Sequence, residues 1–72
     1  ERSLSEQYDL TAAQMRVLEP LIQGKTNRQI SELLGLTEGT VKIHVSAILK
    51  ALNVTNRSQA LLAVKQHRSI KL

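Results

Sequence analysis

Apolar residues recur along this chain with a helical period, and polar capping residues mark off each run. Thr11 with Gln14, Thr26 with Gln29 and Asn56 with Gln59 each place a capping side chain three residues before a glutamine. At that spacing the first side chain accepts from an orphan N–H of the opening turn, and the glutamine reaches back to the cap. Thr37, followed by Glu38, supplies a fourth start, where a carboxylate complements the helix dipole. Gly24, Gly35 and Asn53 stand where left-handed residues end helices. The pattern predicts four helices at about 12–23, 27–34, 38–52 and 57–67. The class is therefore all-α. Pro20 falls inside the first of them and removes the hydrogen bond to the Arg16 carbonyl, so a bend is expected there. The apolar stripe of Val17, Leu18, Leu21 and Ile22 continues across it.

Residues 1–9 are polar and lack this period, and read as a linker or frayed N-terminal extension. The domain is placed at residues 10–68, with a short tail at 69–72. The chain opens on Glu1 rather than methionine, which suggests a piece of something longer. Its 72 residues have room for one core, expected around Val17, Leu18, Leu21, Ile30, Leu34, Val41, Val45, Ile48 and Leu52. With no cysteine and Tyr8 as the sole aromatic residue, disulfides, thiolate metal sites and aromatic base-stacking platforms are excluded. The longest apolar run, Ala60 to Val64, is far too short to span a membrane. A cytoplasmic location is expected.

The net charge of +4 is unevenly spread. Residues 1–35 carry four basic against five acidic groups, whereas residues 36–72 carry six basic groups against Glu38 alone. Within the third helix Val41, Val45, Ile48 and Leu52 fall inside an arc of about 60° and face the core. Glu38, Gly39, Lys42, Ile43, Ser46 and Lys50 occupy another face. Lysine can donate to guanine or phosphate, isoleucine can meet a thymine methyl, and Gly39 and Ser46 are too small to block a close approach. The same face would also suit an ordinary amphipathic helix in water. The preceding helix shifts the balance. It is short, with Ile30, Leu33 and Leu34 as its expected buried positions, and it ends at Gly35-Leu36-Thr37. A three-residue turn containing glycine between a short helix and a longer one is the signature of a helix-turn-helix. Ser31 is small enough for the helix crossing, and Leu36 is expected to plug the turn into the core. No cofactor or metal site is expected. His44 and His67, the two imidazoles, lie in different helices without a carboxylate at ligand spacing, and read as partly buried or solvent-facing side chains.

With those residues in place, the chain resembles the LuxR-type (GerE-like) helix-turn-helix domain of bacterial transcription regulators, including response regulators of two-component systems. The resemblance rests on Leu10-Thr11, Val17-Leu18, Gly24, Thr26-Asn27-Arg28-Gln29-Ile30, Leu33, Leu36-Thr37, Thr40-Val41-Lys42, His44, Ile48, Leu52, Val54, Asn56-Arg57 and Ala60. It implies a four-helix, non-enzymatic domain that binds double-stranded DNA, with 38–52 as the recognition helix. By the same resemblance Gly39, Lys42, Ile43 and Ser46 contact bases. Thr26, Asn27, Arg28, Thr40, Lys50, Arg57 and Ser58 are the expected phosphate contacts, those at the start of the second helix favoured also by its free N–H groups. Leu62, Ala63 and Gln66 on the last helix form a small patch for a homodimer on palindromic or tandem half-sites, whereas Ala60, Leu61 and Val64 read as core. RNA polymerase is a further expected partner.

The chain departs from the family pattern at several positions. Ala13-Gln14 replaces a basic-acidic pair, Ser31 replaces alanine, and Pro20 is unusual. Gly39 has no side chain to offer a base and Ser46 no cationic head, so readout should lean on Lys42, Ile43 and DNA shape. A small-molecule-sensing regulator of the same type is the alternative input class. The promoter-reading domain of a sigma factor carries a similar motif, but the helix opening at Asn56-Arg57 and the presence of His44 argue against it. A helical protein-interaction module is the alternative from a different class.

Overall fold

The computed structural model describes residues 3–70, the last two by their backbone alone. Five helices follow one another: α1 (Leu4–Tyr8), α2 (Ala12–Ile22), α3 (Asn27–Leu34), α4 (Glu38–Ala51) and α5 (Arg57–Ile70). The four expected helices are α2 to α5, and α1 is an addition. It lies in the segment read above as a linker, and Ser3 with Glu6 forms a complete capping box at its start. Leu4 is only 7% exposed and belongs to the core, so burial of one leucine anchors a helix too short to show a period. At the other end α5 continues through residues 69 and 70, which had been placed in a tail. Residues 71 and 72 lie outside the described residues.

The helix starts follow the local chemistry. Thr11 and Thr26 form full capping boxes with Gln14 and Gln29, and Thr37 accepts from the Thr40 N–H. The third expected box is half-formed. Asn56 accepts the Gln59 N–H at 2.9 Å, but the Gln59 side chain accepts from the N–H and hydroxyl of Thr55. The first four helices end alike, on a left-handed residue: Asp9, Gly24, Gly35 and Asn53. In each case the next N–H returns to a carbonyl five residues back: Leu10 to Ser5, Lys25 to Pro20, Leu36 to Ser31 and Val54 to Leu49. Pro20 is buried near the end of α2, and its carbonyl accepts from Gln23 and Lys25. The helix therefore carries the proline close to where it would have stopped.

α2 packs against α3, α4 and α5, and α3 packs on α4. The core contains Val17, Leu18, Leu21, Ile30, Val41, Val45, Ile48 and Leu52 as expected, with Leu4, Leu10, Ala60 and Val64. Leu34 packs against it partly buried. Three leucines differ from expectation. Leu33 is 60% exposed, and Leu36 and Leu61 each keep about a third of their surface in water. In α3, Ile30, Ser31 and Leu34 lie within one arc of about 100°, and Leu33 falls outside it. Ser31 takes the buried place at the crossing, its hydroxyl donating to the Arg28 carbonyl at 2.6 Å. His44 is half-buried and His67 buried.

Candidate nucleic-acid interface

α4 presents two opposite faces. Val41, Val45 and Ile48 are buried, while Gly39, Lys42, Ile43, Ser46 and Lys50 are exposed. Ile43 is 70% exposed, which leaves its apolar side chain available to a partner. An added Cβ at Gly39 would meet only the Thr37 hydroxyl, at 3.9 Å, so this part of the helix surface is open to close approach. The base-contact candidates thus share one exposed surface on a helix whose other face is fixed in the core.

The beginning of α3 lies beside it. One open cleft is lined by Gly24, Lys25, Thr26, Asn27, Arg28, Arg57 and, from the first turn of α4, Glu38. Four of the expected phosphate-contact residues (Thr26, Asn27, Arg28 and Arg57) therefore come together from the starts of α3 and α5. Thr26 closes its capping box there at 2.8 and 3.1 Å, which fixes the opening turn of α3. Among the described residues Arg28 is paired with Glu32, exposed, at 3.7 Å, one helical turn on. Such a pair is worth little in water and leaves the guanidinium available to another anion.

Arg57 is placed differently from a freely projecting cation. It is half-buried, and its Nη1 donates to the Lys25 carbonyl at 3.1 Å. Its Nη2 donates to Asn27 Oδ1, joining the start of α5 to the start of α3. Thr40 is half-buried on the inner edge of the exposed α4 face. Like Thr40, two further expected contacts stand outside the cleft. Ser58 lines a small neighbouring cavity of about 170 Å³ between α2 and α5, together with Leu21, Ile22 and Leu61. Lys50 is exposed two turns beyond Lys42, about 12 Å along the α4 axis. Lys25 is the cleft residue that sequence reasoning passed over. The available signal was a cation immediately before the Thr26 cap.

On the proposed dimer side, Leu62 is 58% exposed, Gln66 is exposed and Ala63 is half-buried. Arg68 pairs with Glu19 at 2.7 Å, tying the last part of α5 to α2. Among the described residues no group of three His, Cys, Asp or Glu could hold a metal ion. No described helix is long and apolar enough to cross a membrane.

A short helix, a glycine-containing turn and a longer helix with one exposed basic face define a helix-turn-helix domain. Bacterial regulatory proteins of the luxR family (GerE) match residues 8–64, and the chain belongs to this family. It is 54% identical over 54 residues to the glycerol metabolism activator of Pseudomonas putida, covering 75% of this chain and 24% of that protein. It is 41% identical over 59 residues to the nitrate/nitrite response regulator protein NarP of Escherichia coli (strain K12), covering 82% of this chain and 27% of that one. The crystal structure of ChrA, the response regulator of a heme-sensing two-component system, superposes with a TM-score of 0.75 at 35% identity, over 94% of this chain and 31% of ChrA. The chain thus spans about a quarter of the length of these curated relatives.

Proposed function

We propose that this chain is the sequence-specific, double-stranded DNA-binding output domain of a bacterial transcription regulator, acting by binding and not by catalysis. The observation that carries the reading is the pairing of the exposed α4 face with the cationic cleft at the start of α3. α4 enters the major groove, where Lys42 and Ile43 read base edges and Gly39 and Ser46 allow close approach. Thr26, Asn27, Arg28, Thr40, Lys50, Ser58 and Arg57 form the backbone-facing set that fixes register. The relatives named as response regulators favour the two-component input class, with this chain as the C-terminal output part and the cytoplasm as its place of work.

Pairing of two copies occurs on DNA, through Leu62, Ala63 and Gln66. The patch is too small to hold a dimer alone, so half-sites about 10 bp apart bring two monomers together. RNA polymerase is the protein such a DNA-bound pair would engage. The test is fluorescence anisotropy with a pool of random duplexes across a salt series, followed by selection of the bound fraction. Binding whose log affinity falls linearly with log salt, with enrichment of one motif, is the expected result. Absence of salt-dependent binding would leave a helical protein-interaction module as the better reading. Sedimentation showing a tight dimer at micromolar concentration without DNA would overturn the pairing order.

A further inference from the structure

Arg57 and Asn27 stand 30 residues apart in sequence and meet where α5 begins against the start of α3. A guanidinium carries only donors, whereas a carboxamide carries an acceptor at one end and two donors at the other. When Arg57 donates to Asn27, the carbonyl end of the amide must face the arginine. The Asn27 Nδ2 group, with both its hydrogens, is thereby left for another partner. Asn27 lines that cleft together with Thr26, Arg28 and Lys25. A second donation from Arg57 to the Lys25 carbonyl, at 3.1 Å, holds the chain just before the helix in the same grip. The geometry points to Arg57 as a positioning residue that turns the Asn27 amide donor-outward toward a DNA phosphate, a role resting on the DNA-binding reading above.

This role is additional to the direct phosphate contact proposed for Arg57, whose guanidinium has further N–H donors besides these two. A phosphate ester oxygen only accepts, so an asparagine free to rotate would present its acceptor end part of the time and repel it. Arg57 removes that possibility by occupying the acceptor. It also links α5, which carries Leu62 and Gln66, to the opening turn of α3, so the proposed pairing helix and the backbone-contact turn move as one piece.

Asn27→Asp separates the two roles. It keeps an acceptor for Arg57, now a charged one, but offers no N–H to the phosphate. The expected result is an unchanged or raised melting temperature with duplex affinity reduced by tenfold or more, through the lost charge-assisted hydrogen bond and the repulsion between the new carboxylate and the phosphate. Wild-type affinity in N27D would overturn the proposal. A double-mutant cycle with R57A and N27A, read by anisotropy on one duplex, supplies the second test. In the wild-type background N27A should cost about tenfold, and in the R57A background less than about threefold, because the amide is no longer held. Additive losses would mean that Arg57 and Asn27 act independently, and would overturn the positioning role while leaving the DNA-binding reading standing. Failure of the wild-type chain to bind duplex DNA at all would remove both. If R57A does not fold, R57M, which keeps the apolar stem but donates nothing, takes its place in the cycle.

Discussion

The Thr37 hydroxyl engages Thr40 twice: it accepts from the Thr40 N–H at 3.1 Å and donates to the Thr40 hydroxyl oxygen at 2.9 Å. The first bond caps α4, satisfying one of the orphan amides of its opening turn. The second commits the Thr40 oxygen as an acceptor, so the Thr40 hydroxyl hydrogen must point elsewhere. A phosphate oxygen is a fitting acceptor for it. The cap and the proposed DNA-backbone contact thus use neighbouring atoms.

Replacing Thr37 by alanine should therefore act on both stability and binding. Loss of the cap should destabilise the fold by about 1 kcal/mol, a typical value for such a position. Thr37→Ser should recover most of this, because serine retains the oxygen. Urea denaturation of the three proteins is the check. Equal stability of T37A and wild type would mean that the first turn of α4 is held by its core contacts alone.

Lys42 is exposed at the centre of the surface of α4 proposed to face DNA, with no partner among the ion pairs described. Lys42→Ala should weaken specific binding by roughly 1–3 kcal/mol while the melting temperature stays unchanged. The comparison that matters is specific against random duplex. A loss confined to the selected motif marks Lys42 as a base contact, whereas an equal loss on both would reassign it to phosphate.

Leu4 anchors α1 to the core from outside the matched family region, which begins at residue 8. Leu4→Ala should destabilise the domain by about 2 kcal/mol, the low end for a buried leucine because the site lies at the core's edge. In a domain this small such a loss is a large share of the total. Chemical denaturation of the variant settles the point. A change within a few tenths of a kcal/mol would show that residues 1–9 behave as the linker their composition suggests.

What the sequence made legible was what is decided locally. Thr11 with Gln14 and Thr26 with Gln29 bond across three residues, so the pattern carries the geometry. Ser3 with Glu6 obeys the same rule, yet the five-residue α1 is too short for an apolar period, and its helix went unread. Gln59 was diverted because Thr55, just before the cap, offers it two donors. Leu33 was misplaced because counting apolar residues in eight positions does not say which arc turns inward. That depends on α2 and α4, against which α3 packs. In the candidate site, the exposed face of α4 followed from the period of its buried valines and isoleucine. The link from Arg57 to Asn27 did not, since nothing local brings residues 57 and 27 together.

Gly39 offers the sharpest separation of stability from recognition. It lies in the first turn of α4, and its backbone is not in the left-handed region that favours glycine. An added methyl group would touch only the Thr37 hydroxyl, at an ordinary 3.9 Å. In the free protein Gly39→Ala should therefore stabilise the helix by about 0.5–1 kcal/mol, because alanine loses less conformational freedom on folding. For a domain of this size that corresponds to a rise in melting temperature of roughly 2–8 °C. In the proposed complex with DNA the same methyl group stands on the face that enters the groove. Affinity for the selected duplex should fall several-fold even as the protein becomes more stable. A variant that melts higher and binds as tightly as wild type would show that the start of α4 does not approach the bases closely, and would remove Gly39 from the contact surface while keeping Lys42 and Ile43 on it.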